Sequence, residues 1–546
     1  MKNSLFSLCL LCFSFNRLIA QNQVDLIVHN AKIYTVDAKF SMGEALAIKD
    51  GKFVAIGSNA EILSKYQAKN NLNAKGKALF PGFNDAHAHF YGYGSFLQEV
   101  NLVGTKSYAE IQQKILKFSQ ANPNKTWLIG RGWDQNDWKI KTFPDKNPLD
   151  KLFPNKPVAL VRIDGHAMLV NQKALDLAGV KNDTPDPLGG TIEKKNGQLT
   201  GILVDNAMGL IRNVIPAPTN SDIEESLLDA QANCFAVGLT SLADAGLDRR
   251  ILEIIDKLNQ EKKLKMRIYA MLSNNEENRN YYLARGFYKT DYLSIRSFKV
   301  YGDGALGSRG ACLLAPYNDK PAETGFLLAS KEQYRAWIKQ IADKGFQINT
   351  HAIGDSANRV VLDLYGEYLG GKNDKRWRIE HAQVVNENDL KKFGQYSIIP
   401  SVQPTHCTSD MFWAIDRLGK IRIKRAYSYQ DLYQQNQLLA LGSDFPVEDI
   451  NPLYGFHAAI ARVNNQNKPQ GGFQMENAIS RENALRGTTI WAAYAAFEEN
   501  EKGSIEVGKM ADFVILDQDI MKIAPEKIRK VKVINTFVGG EKVFGR

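Results

Sequence analysis

The sequence predicts a (β/α)8 barrel of the TIM type, carrying an insertion on its first strand-to-helix connection and a small β-rich domain assembled from both chain ends. Three observations point there. Apolar, β-branched runs alternate with helical stretches through the middle of the chain, the pattern of a parallel α/β architecture. Ten such runs end in a polar, glycine-containing turn, and eight remain once two in a Pro- and Gly-punctuated stretch are set aside, which is the strand number of a TIM barrel. Finally, the two termini share a texture of short strands, neither long enough to bury a core alone.

Length and composition admit this architecture. The 546 residues suit one large domain with appendages or two to four ordinary ones. With 44% hydrophobic and 23% charged residues the chain is close to the soluble globular average, which excludes collagen-like, low-complexity and wholly disordered readings. The net charge of +10 is spread without any block of five or six like charges, so no nucleic-acid arm is expected and the partner is a small molecule. Oligomeric state is left open, with room for a homo-oligomer.

Taken in order, the first element is a leader. Lys2, the apolar run Leu5 to Phe15, then Leu18, Ile19 and Ala20 before polar Gln21 give the positive, apolar, small-residue order of a secretory signal peptide over residues 1–20. Asn16 and Arg17 interrupt the run before the roughly 20 apolar residues of a membrane anchor. The mature chain is therefore expected to be exported, periplasmic or secreted, and free of the membrane. Cys9 and Cys12 fall in the leader, and Cys234, Cys312 and Cys407 are too sparse for a disulfide framework or a zinc ribbon.

Residues 21–80 read as strands, with Asp50-Gly51 between apolar runs as a hairpin signal. Residues 500–546 have the same texture, and the two stretches are expected to form one composite β-rich domain. The barrel is placed at 81–499. Its eight runs are Ala78 to Phe83, Leu239 to Ala243, Met266 to Leu272, Ile295 to Tyr301, Phe346 to Asn349, Trp377 to Ile379, Ile398 to Val402 and Leu438 to Leu441. The runs Trp127 to Trp133 and Val158 to Ile163 belong to the insertion, at about 100–225. Trp133 and Trp138 either cover the barrel mouth or pack within that insertion.

Six of the eight histidines stand at or just after the end of a run, where a TIM barrel gathers its active site. In Asn84-Asp85-Ala86-His87-Ala88-His89, residues two apart in extended chain share a face about 6.6 Å apart and can converge on one ion. His351 and His381 each close a later run, and Asp444 closes the last. Such a nitrogen and oxygen set suits zinc or a similar divalent ion. Lys299 lies amid an apolar strand, where an unpaired lysine is costly, and an ion pair with Asp303 or a nearby carboxylate is its ordinary explanation. His166 and His406 are candidate substrate or oxyanion contacts, with a satisfied structural histidine as the alternative, and Arg309 a candidate grip on a substrate carboxylate or carbonyl, with loop pairing as its alternative. For His29 and His457 a structural role is expected.

These residues resemble the amidohydrolase superfamily: H-x-H on the first barrel strand, Lys on the fourth, His on the fifth and sixth, Asp on the eighth. More narrowly, Phe298 to Arg309, Asp164-Gly165-His166, Ser401 to His406 and Gly503 to Asp512 are similar to the branch that includes N-substituted formamide deformylase. The resemblance implies a hydrolase with one or two ions. His87, His89 and Asp444 would hold one, His351 and His381 the other, with Lys299 bridging as its carbamate. It implies attack by metal-activated water on an amide, formamide or N-acyl carbon–nitrogen bond, with Asp444 as ligand and general base. Action on an ester, lactone or amino-heterocycle, and a non-catalytic binding barrel, are the competing readings.

Overall fold

The computed structural model describes residues 21–546 apart from 164, 166, 188 and 189. The expected leader and His166 thus lie outside the described residues.

Eight parallel strands form the central sheet: β1 (Phe83–Ala88), β2 (Leu239–Leu247), β3 (Arg267–Ser273), β4 (Leu293–Tyr301), β5 (Gln347–Ala352), β6 (Arg378–His381), β7 (Ile399–Val402) and β8 (Ala440–Leu441). Each pairs with the next in chain order. Helices cover the outside, and one continuous apolar cluster joins them to the strands, from Phe83 and Leu242 round to Leu441 and Leu453. Among the described residues no helix is long and apolar enough to cross a membrane.

The first strand departs from its expected bounds. Ala78–Pro81 is a strand of the composite β-rich domain, and the barrel strand begins after Gly82. A side chain at Gly82 would lie 2.2 Å from Thr240 Oγ1, so only glycine lets the chain pass from one sheet into the other at that point.

Both chain ends build that domain as two facing sheets. One runs Lys52–Gly57, Ala45–Lys49, Asn22–His29, Tyr66–Asn73; the other runs Glu541–Gly545, Val533–Val538, Phe513–Leu516, Ala78–Pro81, Lys32–Tyr34, Met42–Gly43. Asp50 and Gly51 both take positive φ (51° and 74°), the conformation a two-residue hairpin demands. Leu26, Val28, Ile33, Leu46, Phe53, Leu79, Phe513, Ile515 and Phe537 fill the space between the sheets.

The insertion carries a six-stranded mixed sheet from Val100 to Asp205, flanked by two apolar clusters of its own. Trp133 and Trp138 are buried in one of them, 6.1 Å apart between ring centroids, and so pack the insertion. The helix Asn220–Ala236, which the sequence assigned partly to the insertion, packs with the barrel through Ile223, Leu227 and Ala230.

Candidate metal centre

Gathering of the ligands begins at the seam where β8 meets β1. β8 is only two residues long, and no ladder joins it to β1. The joint is made instead by Asp85, whose carboxylate accepts from Ser443 Oγ at 2.6 Å, from Ser443 N at 3.0 Å and from His87 N at 3.0 Å. Burial drives the Asp85 carboxyl up to about 7 against these bonds. Beyond it the backbone closes directly: Asp444 N donates to His87 O at 2.7 Å and His89 N to Phe445 O at 2.8 Å. Gly442 admits this approach, since a Cβ there would stand 2.5 Å from His87 N. The seam therefore sets the HxH pair and Asp444 side by side by main-chain geometry.

Three side chains converge most closely: one ligand atom each of His87, His381 and Asp444 lie within 4.8 Å of one another, all three residues buried. Asp444 Oδ1 has His89 Nε2 at 3.1 Å and His87 Nε2 at 3.5 Å, and Oδ2 has His406 Nε2 at 3.6 Å. None of these is an aligned hydrogen bond, and both Asp444 Oδ1 and His406 Nε2 are buried without a partner. Nitrogens and a carboxylate oxygen that point at a common space rather than at each other fit a divalent cation. Burial lowers three of the imidazoles: His87 to about 4, His351 to about 3, and His381 well below the usual histidine range. Asp444, despite burial, is kept well below the carboxylate range by His89 and the surrounding imidazoles.

His381 and Asp444 also have positive φ, 73° and 63°. For residues other than glycine this region costs about 1–3 kcal/mol each, an expense sited where the two side chains meet.

The other expected residues are distributed around this group. His351 has its ring centroid 4.5 Å from that of His381, and its Nε2 lies 3.5 Å from both Gly304 O and Asp303 Oδ1. His87 and His89 thus both face Asp444 and His351 lies against His381, while His381 also reaches the group of His87 and Asp444. Lys299 is fully buried with Nζ 3.2 Å from His87 Nε2, and burial holds its amine down to about 8. Among the described residues no carboxylate lies within ion-pair distance of it. An ion pair with Asp303 is not formed, because that carboxylate accepts from the backbone N–H groups of Cys312, Ile353 and Gly354. His406 stacks over His381 at 5.9 Å. Arg309 is engaged elsewhere: Nε and Nη2 donate to Asp319 at 3.2 and 2.7 Å, which Arg417 also grips, so it braces the loop after β4. His457 is buried in the helix Pro452–Ala461 and His29 ends a strand of the composite domain, both apart from the centre.

Sequence reasoning missed the residues behind the ligands. His87 Nδ1 is hydrogen-bonded to Glu380 Oε2, and Arg378 lies against Glu380 with Nε 2.7 Å from Oε1. Burial alone would raise the Glu380 carboxyl, but Arg378 and His87 hold it far below the usual range. His381 Nδ1 meets the amide oxygen of Gln403 at 2.7 Å. The one signal was Arg378 and Glu380 at alternate positions of a short run, while Gln403 follows β7 and carried none.

A family model described as the amidohydrolase family matches residues 71–544. The chain is 31% identical over 526 residues to a putative amidohydrolase, YtcJ, of Bacillus subtilis strain 168, covering 95% of this chain and 99% of that one. It is 26% identical over 538 residues to N-substituted formamide deformylase of Arthrobacter pascens, covering 94% and 97% respectively. The crystal structure of an uncharacterized metal-dependent hydrolase from Pyrococcus horikoshii OT3 superposes with a TM-score of 0.77 at 26% identity, covering 92% of this chain and 99% of that one.

Proposed function

We propose, from the premise that this chain belongs to the amidohydrolase family, that it is a metal-dependent hydrolase of carbon–nitrogen bonds other than peptide bonds, acting on an amide, formamide or N-acyl compound. The observation that carries the reading is the buried convergence of His87, His381 and Asp444 at the C-terminal mouth of the barrel, with Asp444 Oδ1 unpartnered. His89, His351 and Lys299 as its carbamate complete the set that would hold one or two ions, and nitrogen and oxygen donors of this kind favour zinc. Bound there, an ion would supply the Lewis-acid charge that lowers the pKa of water and polarises a carbonyl.

The chain's own groups do the rest. Asp444 takes a proton from the attacking water and delivers it to the leaving nitrogen, so that the carbon–nitrogen bond breaks to amine and acid. His406, with Nε2 facing Asp444 Oδ2 and no other partner, is placed to contact the substrate's carbonyl oxygen. Elemental analysis of the purified chain with a panel of amides, formamides and N-acyl compounds tests the reading. Release of amine and acid by metal-loaded protein is expected; turnover confined to esters, lactones or amino-heterocycles would assign another bond.

Lys299→Ala is expected to lose metal and activity, with partial recovery when a short carboxylic acid fills the vacated space. Lys299→Arg should be inactive and beyond recovery, since guanidinium takes up no carbon dioxide and repels a cation. Full activity in Lys299→Ala would refute the carbamate. Export forms part of the same proposal. The intact mass of the native protein is expected to place its first residue near Gln21 or Asn22, and a cytoplasmic product that retains residues 1–20 would count against it.

A further inference from the structure

We infer that Glu380, held by Arg378, is a positioning residue for His87: it fixes the imidazole in the tautomer and ring angle that leave Nε2 free to face the centre. The inference rests on the metal reading above. On β6, residues two apart share a face, so Arg378 and Glu380 both enter the barrel interior, and with His87 they are wholly buried. Glu380 Oε2 meets His87 Nδ1. A carboxylate ion-paired to arginine can only accept, so Nδ1 must be the donor and Nε2 carries the lone pair.

Arg378 works on both sides of that bond. Nε lies 2.7 Å from Glu380 Oε1 and Nη2 3.0 Å from Oε2. The same Nη2 donates to Ser401 Oγ at 2.9 Å and to the carbonyl of Ala86, the residue immediately before His87. One arginine thus ties β6, β7 and the backbone of β1 together at the place where His87 emerges.

Stability does not account for the arrangement. Replacing a buried ionic group by apolar residues of similar volume is often neutral or stabilising, because desolvating the charges costs as much as their attraction returns. What apolar residues cannot do is accept a proton bond at Nδ1. Histidine ligands to metals commonly donate their second nitrogen to such a partner, which also raises their basicity. His381 has the neutral amide oxygen of Gln403 in that position, so His87 is the more strongly donating of the two.

The test uses the full mature chain stripped of metal, with zinc alone as probe and a chromophoric chelator as competitor. Arg378→Met combined with Glu380→Met removes both charges of the pair, so that neither is left buried without the other. It is expected to fold with an unchanged far-UV spectrum and to bind zinc 10–100-fold more weakly. Glu380→Gln in the Arg378→Met background should recover part of that loss, because an amide oxygen again accepts from Nδ1. Equal zinc affinity in the folded double variant would overturn the inference while wild-type zinc uptake left the metal reading intact. Absence of zinc uptake by the wild type would overturn both. Nitrogen NMR of the metal-free wild type, labelled in histidine and assigned with His87→Asn, reads the tautomer without either variant: Nδ1–H is expected for His87, and Nε2–H would refute the positioning role.

Discussion

Asp444→Asn is expected to lower kcat by roughly 10²–10⁴-fold, about 3–5 kcal/mol of barrier, while keeping the fold. An amide can still coordinate through its neutral oxygen but cannot take the water's proton. The substitution is mild in other respects. Asp444 N donates to His87 O across the seam, a main-chain bond that asparagine preserves. The backbone there has φ 63°, and asparagine tolerates the left-handed region better than most residues. Turnover per metal-loaded molecule, metal content and melting temperature would be measured together. Unchanged kcat per loaded molecule with a strongly lowered melting temperature would make Asp444 a packing residue and end the proposed mechanism.

Asp512→Ala is expected to destabilise the protein by about 3–5 kcal/mol, since it would strand a buried guanidinium. Asp512 sits in the composite domain and accepts from Arg267 of β3 at 2.6 Å through Nε and at 2.9 Å through Nη2, with both side chains about 4% exposed. It also accepts from Gly539 N at 2.8 Å. The pair is a buried polar clasp between the floor of the barrel and the composite domain. Denaturant midpoints should fall for Asp512→Ala and largely recover in Arg267→Met with Asp512→Leu, where neither charge remains. A loss below about 1 kcal/mol in the single variant would mean the guanidinium finds water, and that the clasp does not bear on stability.

The barrel was legible in the sequence because its strands are apolar runs bounded by turns, and periodicity reports burial directly. Where a boundary is itself buried that signal fails. Ala78 to Phe83 reads as one strand because all six residues are buried, yet Gly82 divides two sheets and nothing polar marks the crossing. The HxH pair, His351, His381 and Asp444 were legible from their positions at strand ends. Their supports were not, since Glu380 and His87 are 293 residues apart in sequence and no local pattern records a partner across a barrel. For Lys299 the residue type announced something costly, but Asp303, its nearest acid in sequence, proved to be held by three backbone amides.

The composite sheet has a consequence for synthesis. Its inner strand Ala78–Pro81 is flanked by Lys32–Tyr34, made just before it, and by Phe513–Leu516, made more than 400 residues later. At a translation rate of about 5–20 residues per second, the far edge of that strand waits roughly 20–90 s on the ribosome for its neighbour. An unpaired apolar edge is a template for pairing with another chain. The nascent protein thus carries an unpaired apolar edge from near the start of translation almost to its end, and the speed of elongation sets how long that edge must be shielded.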